Sequence, residues 1–515
     1  MFSIDQSNTS TQFGDMKVSH ETRNGWDDAR FRRDKALRYY SGQIFLETIA
    51  TDDPNEKTPL LYPVGLNIIK MLTLAITDAT FGEWDTDIMM FEPRKSIETS
   101  DGLKNTSKWA MDMLAASNGS SSLWELDFNR NLYGAGVLRI SHSLNVYPYI
   151  KWSNYPVDGF FPIFDPENPD VLLECYAQNY LTEEQVREKY HVDPEKFANV
   201  MVPSPMLGNY YIRTEHWTLK EYEVLINGTK IEAYSGTNPW GIIPFVYIPR
   251  MRTIDWMGEG IAEDLYSVQD ELNMRVADIG EELNYNSHPI RWGRNLPMNF
   301  DSKNFPLGAN VMWNLGRAYG SGVGDPEVGM LQSDHPVPEA AFSYIKFIYD
   351  WARTSSSAPP VAFGEDNGGG QRSGATLEIR LWPMLKSIRR SRSYLETGLL
   401  RALYVSGKIL AQRKFSDVGN DIFDSLLNGQ IAPVFHRILP RDQATVVDEV
   451  VKLLSTNPPS ISLETAQTIL GRGQSEISHI EDTIALQEKI AQRAAENAAK
   501  IAEASKPDES TGETL

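Results

Sequence analysis

The chain contains a single cysteine, Cys175, among 515 residues. One thiol makes no internal disulfide, so this is not the covalent framework of a small secreted domain. The plain reading of Cys175 is a small buried thiol; a nucleophile would need a matched histidine and base, which the sequence does not place. Long apolar runs are absent too. The most apolar stretch, Leu66 to Phe81, is interrupted by Lys70 and Asp78 and is too short and too charged to span a bilayer. The first residues, Met-Phe-Ser-Ile-Asp-Gln, lack a basic segment followed by an apolar run, so no signal peptide is expected. Without secretion, the glycosylation patterns at Asn118 and Asn227 carry no weight. Positive charge is scarce: 49 Lys and Arg stand against 69 Asp and Glu, a net charge of -20. A protein that grips nucleic acid by its phosphates is basic. This one should repel a duplex on average, unless its cations are segregated.

Catalytic signatures are missing as well. The histidines, at 20, 142, 191, 216, 288, 335, 436 and 479, are scattered, and none forms the paired spacing of a zinc hydrolase. No Gly-x-Ser-x-Gly elbow occurs. Gly364-Glu365-Asp366-Asn367-Gly368-Gly369-Gly370 lacks the Lys-Ser/Thr of a phosphate loop and no strand feeds it, so it reads as a flexible loop between helices. Gly320-Ser321-Gly322-Val323-Gly324 lacks the spacing of a dinucleotide fingerprint. Paired carboxylates are plentiful, but so many acids make chance pairs certain. No cofactor and no metal ligand set is expected, and the chain does not read as an enzyme.

What remains is a large folded chain with 41% hydrophobic and 23% charged residues. Its length implies several packed regions. Helices are expected over 26–48 (ending near Gly42), 63–81, 102–117 and 121–133. Residues 136–250 read mostly as strand, with Val137 to Ser141, Val146 to Trp152 and Ile242 to Ile248, and with helical insertions at 182–190 and 194–200. Asn227-Gly228 favours positive φ and predicts a hairpin between Glu221–Ile226 and Thr229–Tyr234. Helices follow over 258–285 and 337–356. Between them, 289–335 is rich in Gly, Pro and Asn, with a short strand over Asn310 to Leu315. A long helix is expected over 375–413 with a kink at Pro383, then helices over 441–456, 462–471 and 475–504. The fold class expected is α+β.

Charge is segregated along this order. Asp255, Glu259, Glu263, Asp264, Asp270, Glu271, Asp278, Glu281 and Glu282 face only Arg275. Asp264, Glu271 and Asp278 recur every seventh residue, close to one side of a helix. Such a face is either solvated or lines a passage for an anion that must not stick. From Arg372 to Lys414 the bias reverses: Arg372, Arg380, Lys386, Arg389, Arg390, Arg392, Arg401, Lys408, Arg413 and Lys414 face only Glu378 and Glu396. These cations are solvated, paired across subunits or, for Arg389, Arg390 and Arg392, in contact with phosphate.

Several segments, in order, resemble the portal proteins of tailed bacteriophages. They are Arg38-Tyr39-Tyr40-Ser41-Gly42; Asn67-Ile68-Ile69-Lys70 running to Phe81-Gly82; and Gly241-Ile242-Ile243-Pro244-Phe245. Next come Gly258-Glu259-Gly260 with Leu265, Gln269-Asp270 and Asn273; then Ser373-Gly374-Ala375-Thr376-Leu377-Glu378 with Leu381-Trp382-Pro383-Met384. Leu439-Pro440-Arg441-Asp442 and Ile461-Ser462 with Glu464-Thr465-Ala466 complete the series. The length resembles that of podophage portals.

The resemblance implies a flexible arm (1–25), a wing (26–257), a stem helix (258–285), a clip (286–335) and a second stem helix (336–356). A tunnel loop (357–374), a long kinked helix returning to the wing (375–429), a crown (430–505) and a disordered tail (506–515) complete the mapping. It implies a dodecameric ring at one capsid vertex of the virion, assembled in the host cytoplasm. Such a ring passes double-stranded DNA during packaging and ejection without reading its sequence. Implied partners are the terminase large subunit, a tail adaptor, and the capsid and scaffolding proteins, with no membrane. On this mapping Glu365, Asp366, Asn367, Gly368, Gly369, Gly370, Gln371 and Arg372 narrow the channel, while Glu263, Asp264, Asp270, Glu271 and Asp278 line the stem. Another ring-forming head–tail adaptor, or an acidic hydrolase, are the alternatives.

Overall fold

The computed structural model describes residues 20–43, 65–82, 89–94, 100–143, 146–194, 202–204, 208–252, 256–287, 290–295, 326–331, 338–365, 374–413, 418–436, 438, 443–455 and 466. The chain divides into two compact units. The larger is Met1–Gln371 with Leu377–Ile438; the smaller is Arg372–Thr376 with Leu439–Leu515.

The larger unit opens with helices α1 (His20–Ser41) and α2 (Ile68–Phe81), strand β1 (Met89–Pro93), and helices α3 (Asp101–Ala116) and α4 (Gly119–Tyr133). Asn67 caps α2 by accepting from the Lys70 amide at 2.9 Å, as short polar side chains do at a helix start. Ile69, Leu72, Ile76 and Phe81 are buried. Thr73, Thr77 and Thr80, buried among them, donate their hydroxyls to carbonyls one turn back, so the polar groups of that face are satisfied inside the helix.

Strands β2 (Ala135–His142), β3 (Ile150–Tyr155), β4 (Phe160–Phe164) and β5 (Leu172–Leu181) follow, then helix α5 (Glu183–Tyr190). Next come β6 (Val202–Ser204), β7 (Gly208–Thr218), β8 (Glu221–Ile226), β9 (Thr229–Lys230), β10 (Gly236–Thr237) and β11 (Phe245–Pro249). One sheet runs β10-β8-β7-β5-β4, with β6 and β9 beside it, and another runs β11-β2-β3. Helix α6 (Tyr266–Ser287), strands β12 (Ile290–Arg294) and β13 (Glu327–Leu331), and helix α7 (Glu339–Ser355) come next. The long helix α8 (Gly374–Arg413), helix α9 (Asn420–Leu427) and strand β14 (Ile431–Phe435) follow, with α10 (Gln443–Leu454) in the smaller unit. All strand pairs among the described residues are antiparallel, and helices and sheets occupy separate stretches, so the fold is α+β.

Two cores hold the helices of the larger unit against its strands and against one another. One gathers Trp109, Leu126, Ile140, Trp152 and Ile248 around Leu395, Leu399, Leu403 and Ile409 of α8. Trp152 also donates its indole N–H to Ser406 at 3.0 Å; losing a ring buried this way costs about 3–5 kcal/mol. The other joins Ile69 and Leu72 to Leu265, Leu272, Ile348, Ala352, Met384 and Ile388, so it fastens α6, α7 and the start of α8 to α2.

Several expectations needed correction. The first helix begins at His20, earlier than expected, and its end at Ser41 agrees with the end read near Gly42, which turns to φ 77°. Residues 146–149 form a turn, and the strand expected from Val146 starts at Ile150. The Asn227-Gly228 hairpin is present with both residues at positive φ. Its second strand lasts only two residues before a short helical turn at Glu232–Tyr234. The helix expected from 258 begins as a short turn at Glu263–Leu265 and becomes regular at Tyr266. The strand β14, within the range expected to open the crown, pairs with β1. The long helix expected over 375–413 is present as α8, with Pro383 inside it. The arm up to residue 19, the insertion 195–200, the strand Asn310 to Leu315, the helices 462–471 (Ala466 apart) and 475–504, and the tail 506–515 lie outside the described residues.

Candidate functional site

Residues from three distant segments lock the α6–α7 hairpin in place. Gln269, 1% exposed, accepts from the amides of Ile68 at 2.9 Å and Ile69 at 3.4 Å. Those amides open α2 and have no partner within their own helix. The Gln269 amide group donates to the Leu66 carbonyl and, at 3.1 Å, to Asn273 Oδ1, which also accepts from the Leu66 amide at 3.2 Å. Asn67 donates to the carbonyls of Tyr39 and Tyr40 at 3.1 and 2.7 Å. The Tyr39 hydroxyl donates to Asp270 at 2.7 Å. Burial and the Asp270 carboxylate raise that hydroxyl well above its ordinary value, so it stays protonated and keeps its proton for Asp270. Residues of three of the segments that carried the sequence resemblance, around Tyr39, Asn67 and Gln269, thus touch one another.

The approach to α6 is fixed by glycine. Gly258 has φ 78°, and a Cβ there would sit 2.4 Å from the Gly134 carbonyl oxygen. A Cβ on Gly260 would meet the Leu132 carbonyl at 2.6 Å. Only glycine lets these backbones pass so closely. The Ile261 amide donates to Asn131 at 2.8 Å, and the Arg250 amide to Gly134 at 2.8 Å.

The five carboxylates expected to line a stem take different directions. Glu263 pairs with Arg32 of α1, and Asp270 accepts from Tyr39, so both serve the subunit's own packing. Glu271 and Asp278 flank Arg275 at 2.8 and 3.0 Å, and Glu271 also accepts from Tyr344 of α7 at 3.2 Å. Asp264 lies in the turn before α6 and is exposed. Beside it, burial and the like charges of Asp264 and Glu263 raise the Glu259 carboxyl above its ordinary range.

Helix α7 buries Ile348 and Ala352 and turns Tyr344, Phe347 and Trp351 outward, with Phe347 62% and Trp351 56% exposed. Their spacing, three and four apart, puts them on one stripe. Sequence reading missed this stripe; aromatics at helical spacing flanking a separate buried set were its signal. At the foot of α7, Arg353 is buried, pairs with Asp350 and with Glu365 at 2.8 Å, and lies over the Tyr349 ring. Glu365 therefore anchors the base of the expected tunnel loop. Asp366, Asn367, Gly368, Gly369, Gly370, Gln371 and Arg372 lie outside the described residues.

The cations of α8 divide. Arg389 and Lys386 lie over the Trp382 ring at 5.7 and 5.3 Å, and with Arg390 they are exposed. Arg392 instead reaches inward, donating to the Thr80 carbonyl at 2.6 Å and covering Phe435. Burial, opposed by Asp127, lowers its guanidinium to about 10. Beneath α8, fully buried Arg130 pairs with Asp127 and donates to the carbonyls of Ser391 at 2.8 Å and Pro249 at 3.2 Å. Asn131 bridges Asp127, Thr77 and Arg250. One knot thus ties α2, α4, the end of β11 and α8.

Elsewhere the polar clusters read as structural. Burial works to raise the Glu215 carboxyl, but Arg139 and Arg213 together hold it below its ordinary value. Burial drives the Cys175 thiol far up, with Glu215 and Glu174 adding to it, which disfavours a thiolate. Among the described residues no group of His, Cys, Asp or Glu is arranged to hold a metal ion, and no helix is long and apolar enough to cross a membrane. No protein-family model matches this chain, and no curated protein matches it.

Proposed function

We propose that this chain is the portal subunit of a tailed bacteriophage, a structural ring protein through which double-stranded DNA passes. The observation that carries the reading is the outer face of the α6–α7 hairpin. It presents Tyr344, Phe347 and Trp351 to solvent on a helix whose other side is packed. Half-exposed rings of this size leave roughly 100 Å² each uncovered, on the order of 300 Å² together. A stripe of that extent matches the largest apolar patch of an ordinary monomer, which is often functional, and it suits a partner surface. A stripe covered by a different face of the next copy gives a head-to-tail contact, which makes a ring where the rotation between copies closes and an open filament where it does not.

A channel must surround a strongly charged rod without holding it. Around such a ring every carboxylate recurs once per subunit. Screening limits its reach to about 8 Å at physiological salt, so only groups at the lining matter. The hairpin offers Asp278, 51% exposed, with Glu281 and Glu282 farther along α6. The net charge of -20 supports a conduit that repels DNA over one that grips it. In this reading the loop pinned by Arg353 and Glu365 narrows the passage, and the ring occupies one capsid vertex. It docks terminase during packaging and a tail adaptor afterwards, and it carries no catalytic role.

Electron micrographs of the purified protein test the proposal. Rings with a central hole, and a species near twelve subunit masses in light scattering, are expected. A strict monomer with hydrolytic activity sinks the reading. Deleting Gly368 to Gly370 tests the loop: rings should form while packaging or genome retention fails, and normal DNA-filled heads would remove the loop from the mechanism.

A further inference from the structure

Two charged surfaces on the larger unit have no ion-pair partner among the described residues. On α8, Lys386, Arg389 and Arg390 are exposed around Trp382, and among the described residues no carboxylate lies within ion-pair distance of them. At the head of α6, Glu259 and Asp264 likewise have no described cation within that distance, since Arg32 is taken by Glu263. Burial, with the like charges of Asp264 and Glu263 behind it, raises the Glu259 carboxyl, and the more distant Arg250 and Arg32 only partly oppose this.

The two surfaces belong to one band of the subunit. Met384 and Ile388 of α8 share a core with Ile261, Ala262 and Leu265, which bracket Asp264. Within one subunit the two sets do not meet as ion pairs. Between two copies related by rotation about a ring axis they can, because a head-to-tail contact joins different faces of the same molecule.

We propose that the Trp382–Lys386–Arg389–Arg390 face of α8 docks against Glu259 and Asp264 of the neighbouring copy, selecting the register in which the ring closes. The proposal rests on the ring reading. It favours a second copy over DNA as occupant for two reasons. The complementary charge is present on the same chain at the same level. Arg392, which would extend the cationic cluster for a phosphate backbone, is turned inward onto Thr80. Trp382 adds apolar area between the cations, as interface anchors do.

Charge reversal tests it. The variants are Lys386→Glu/Arg389→Glu/Arg390→Glu, Glu259→Lys/Asp264→Lys, and an equimolar mixture of the two. Mass photometry on the full chain reads the concentration at half assembly. Each reversed protein alone should require at least about tenfold more protein, since facing like charges cost several kcal/mol. The mixture should recover assembly, as each junction then joins opposite charges in the reversed sense at every second contact. The neutral Lys386→Gln/Arg389→Gln/Arg390→Gln variant, with its melting temperature compared to the parent, separates lost contact from lost fold: weaker assembly at an unchanged melting temperature supports the contact. Parent rings that are indifferent to both reversals overturn the proposal and leave the ring reading standing. So do variants that assemble normally but lose duplex DNA binding, which would give the face to DNA. A parent that never assembles removes the ring reading itself.

Discussion

Arg130 and Arg275 illustrate how one local pattern ends in two environments. Each sits on a helix with acids at helical spacing: Asp127 for the first, Glu271 and Asp278 for the second. Arg275 stays 44% exposed, and its pairs are screened by water. Arg130 is fully buried, and its remaining N–H groups are taken by carbonyls of Pro249 and Ser391, more than a hundred positions away. The acid does not decide between these outcomes; the distant carbonyls do. The Arg130 guanidinium is held by partners on several elements at once, whereas the outer side of the α6–α7 hairpin keeps charges and rings facing outward.

The strongest way to break this contrast is Arg130→Met. It leaves Asp127 ionised and buried, and a loss of roughly 3–5 kcal/mol is expected, read as a marked fall in the thermal midpoint. Arg275→Met should shift stability by less than about 0.5 kcal/mol; equal effects would erase the distinction. Next in size is Gly258→Ala, which forces a Cβ onto the Gly134 carbonyl at positive φ. A cost of about 2–4 kcal/mol is expected, with weaker hydrogen-exchange protection of the Ile261 amide. Phe347→Ser/Trp351→Ser sharpens the outer half of the contrast. The subunit's melting temperature should barely move, while the concentration at half assembly rises about tenfold or more; a subunit that melts early instead would make the stripe part of its own core.

The smallest effect concerns Glu174. The hydrogen bond from His216, and another from Tyr176, hold its carboxyl below the ordinary value of 4.5. A carboxyl lowered in the folded state adds stability that is present above 4.5 and is lost as pH falls through its folded value. Glu174→Gln should lower stability slightly at neutral pH, where the ionised carboxylate contributes, and flatten the acid limb of the stability curve below that pH, so that the two proteins converge in acid. An unaltered acid limb would assign that limb to other groups.

Much of the helical order was legible in the sequence, because α2, α3, α4, α5 and α7 carry their own caps or apolar spacing. The Asn227-Gly228 turn was legible for the same local reason. What was not legible depends on distant chain. Strand β14 finds β1 far away in sequence and carries Pro433 inside its run. The head of α6 was read as helix because nothing near Gly258 shows that Gly134 passes beneath it. The seven-residue recurrence of Asp264, Glu271 and Asp278 counted a regular helix from a residue that lies in the turn before it. Arg392 could not be told from Arg389 and Arg390 by composition; its place beside Thr80 and Phe435 is set by packing.

Gln269 carries one further consequence, and it concerns time. The first amides of α2 are satisfied by a side chain 201 positions later. At synthesis rates of roughly 5–20 residues per second, that side chain leaves the ribosome about 10–40 seconds after α2 does. Until then the start of α2 has only local partners, the Asn67 cap and the Leu66 carbonyl that accepts from the Ile68 amide at 3.1 Å, and its buried face has neither Leu265 nor Leu272 to pack against. Nascent chains arrested before residue 260 should therefore leave the amides of Ile68 and Ile69 open to exchange, and chains arrested well beyond Asn273 should close them. The N-terminal helices of this protein wait for the middle of the chain before they are finished.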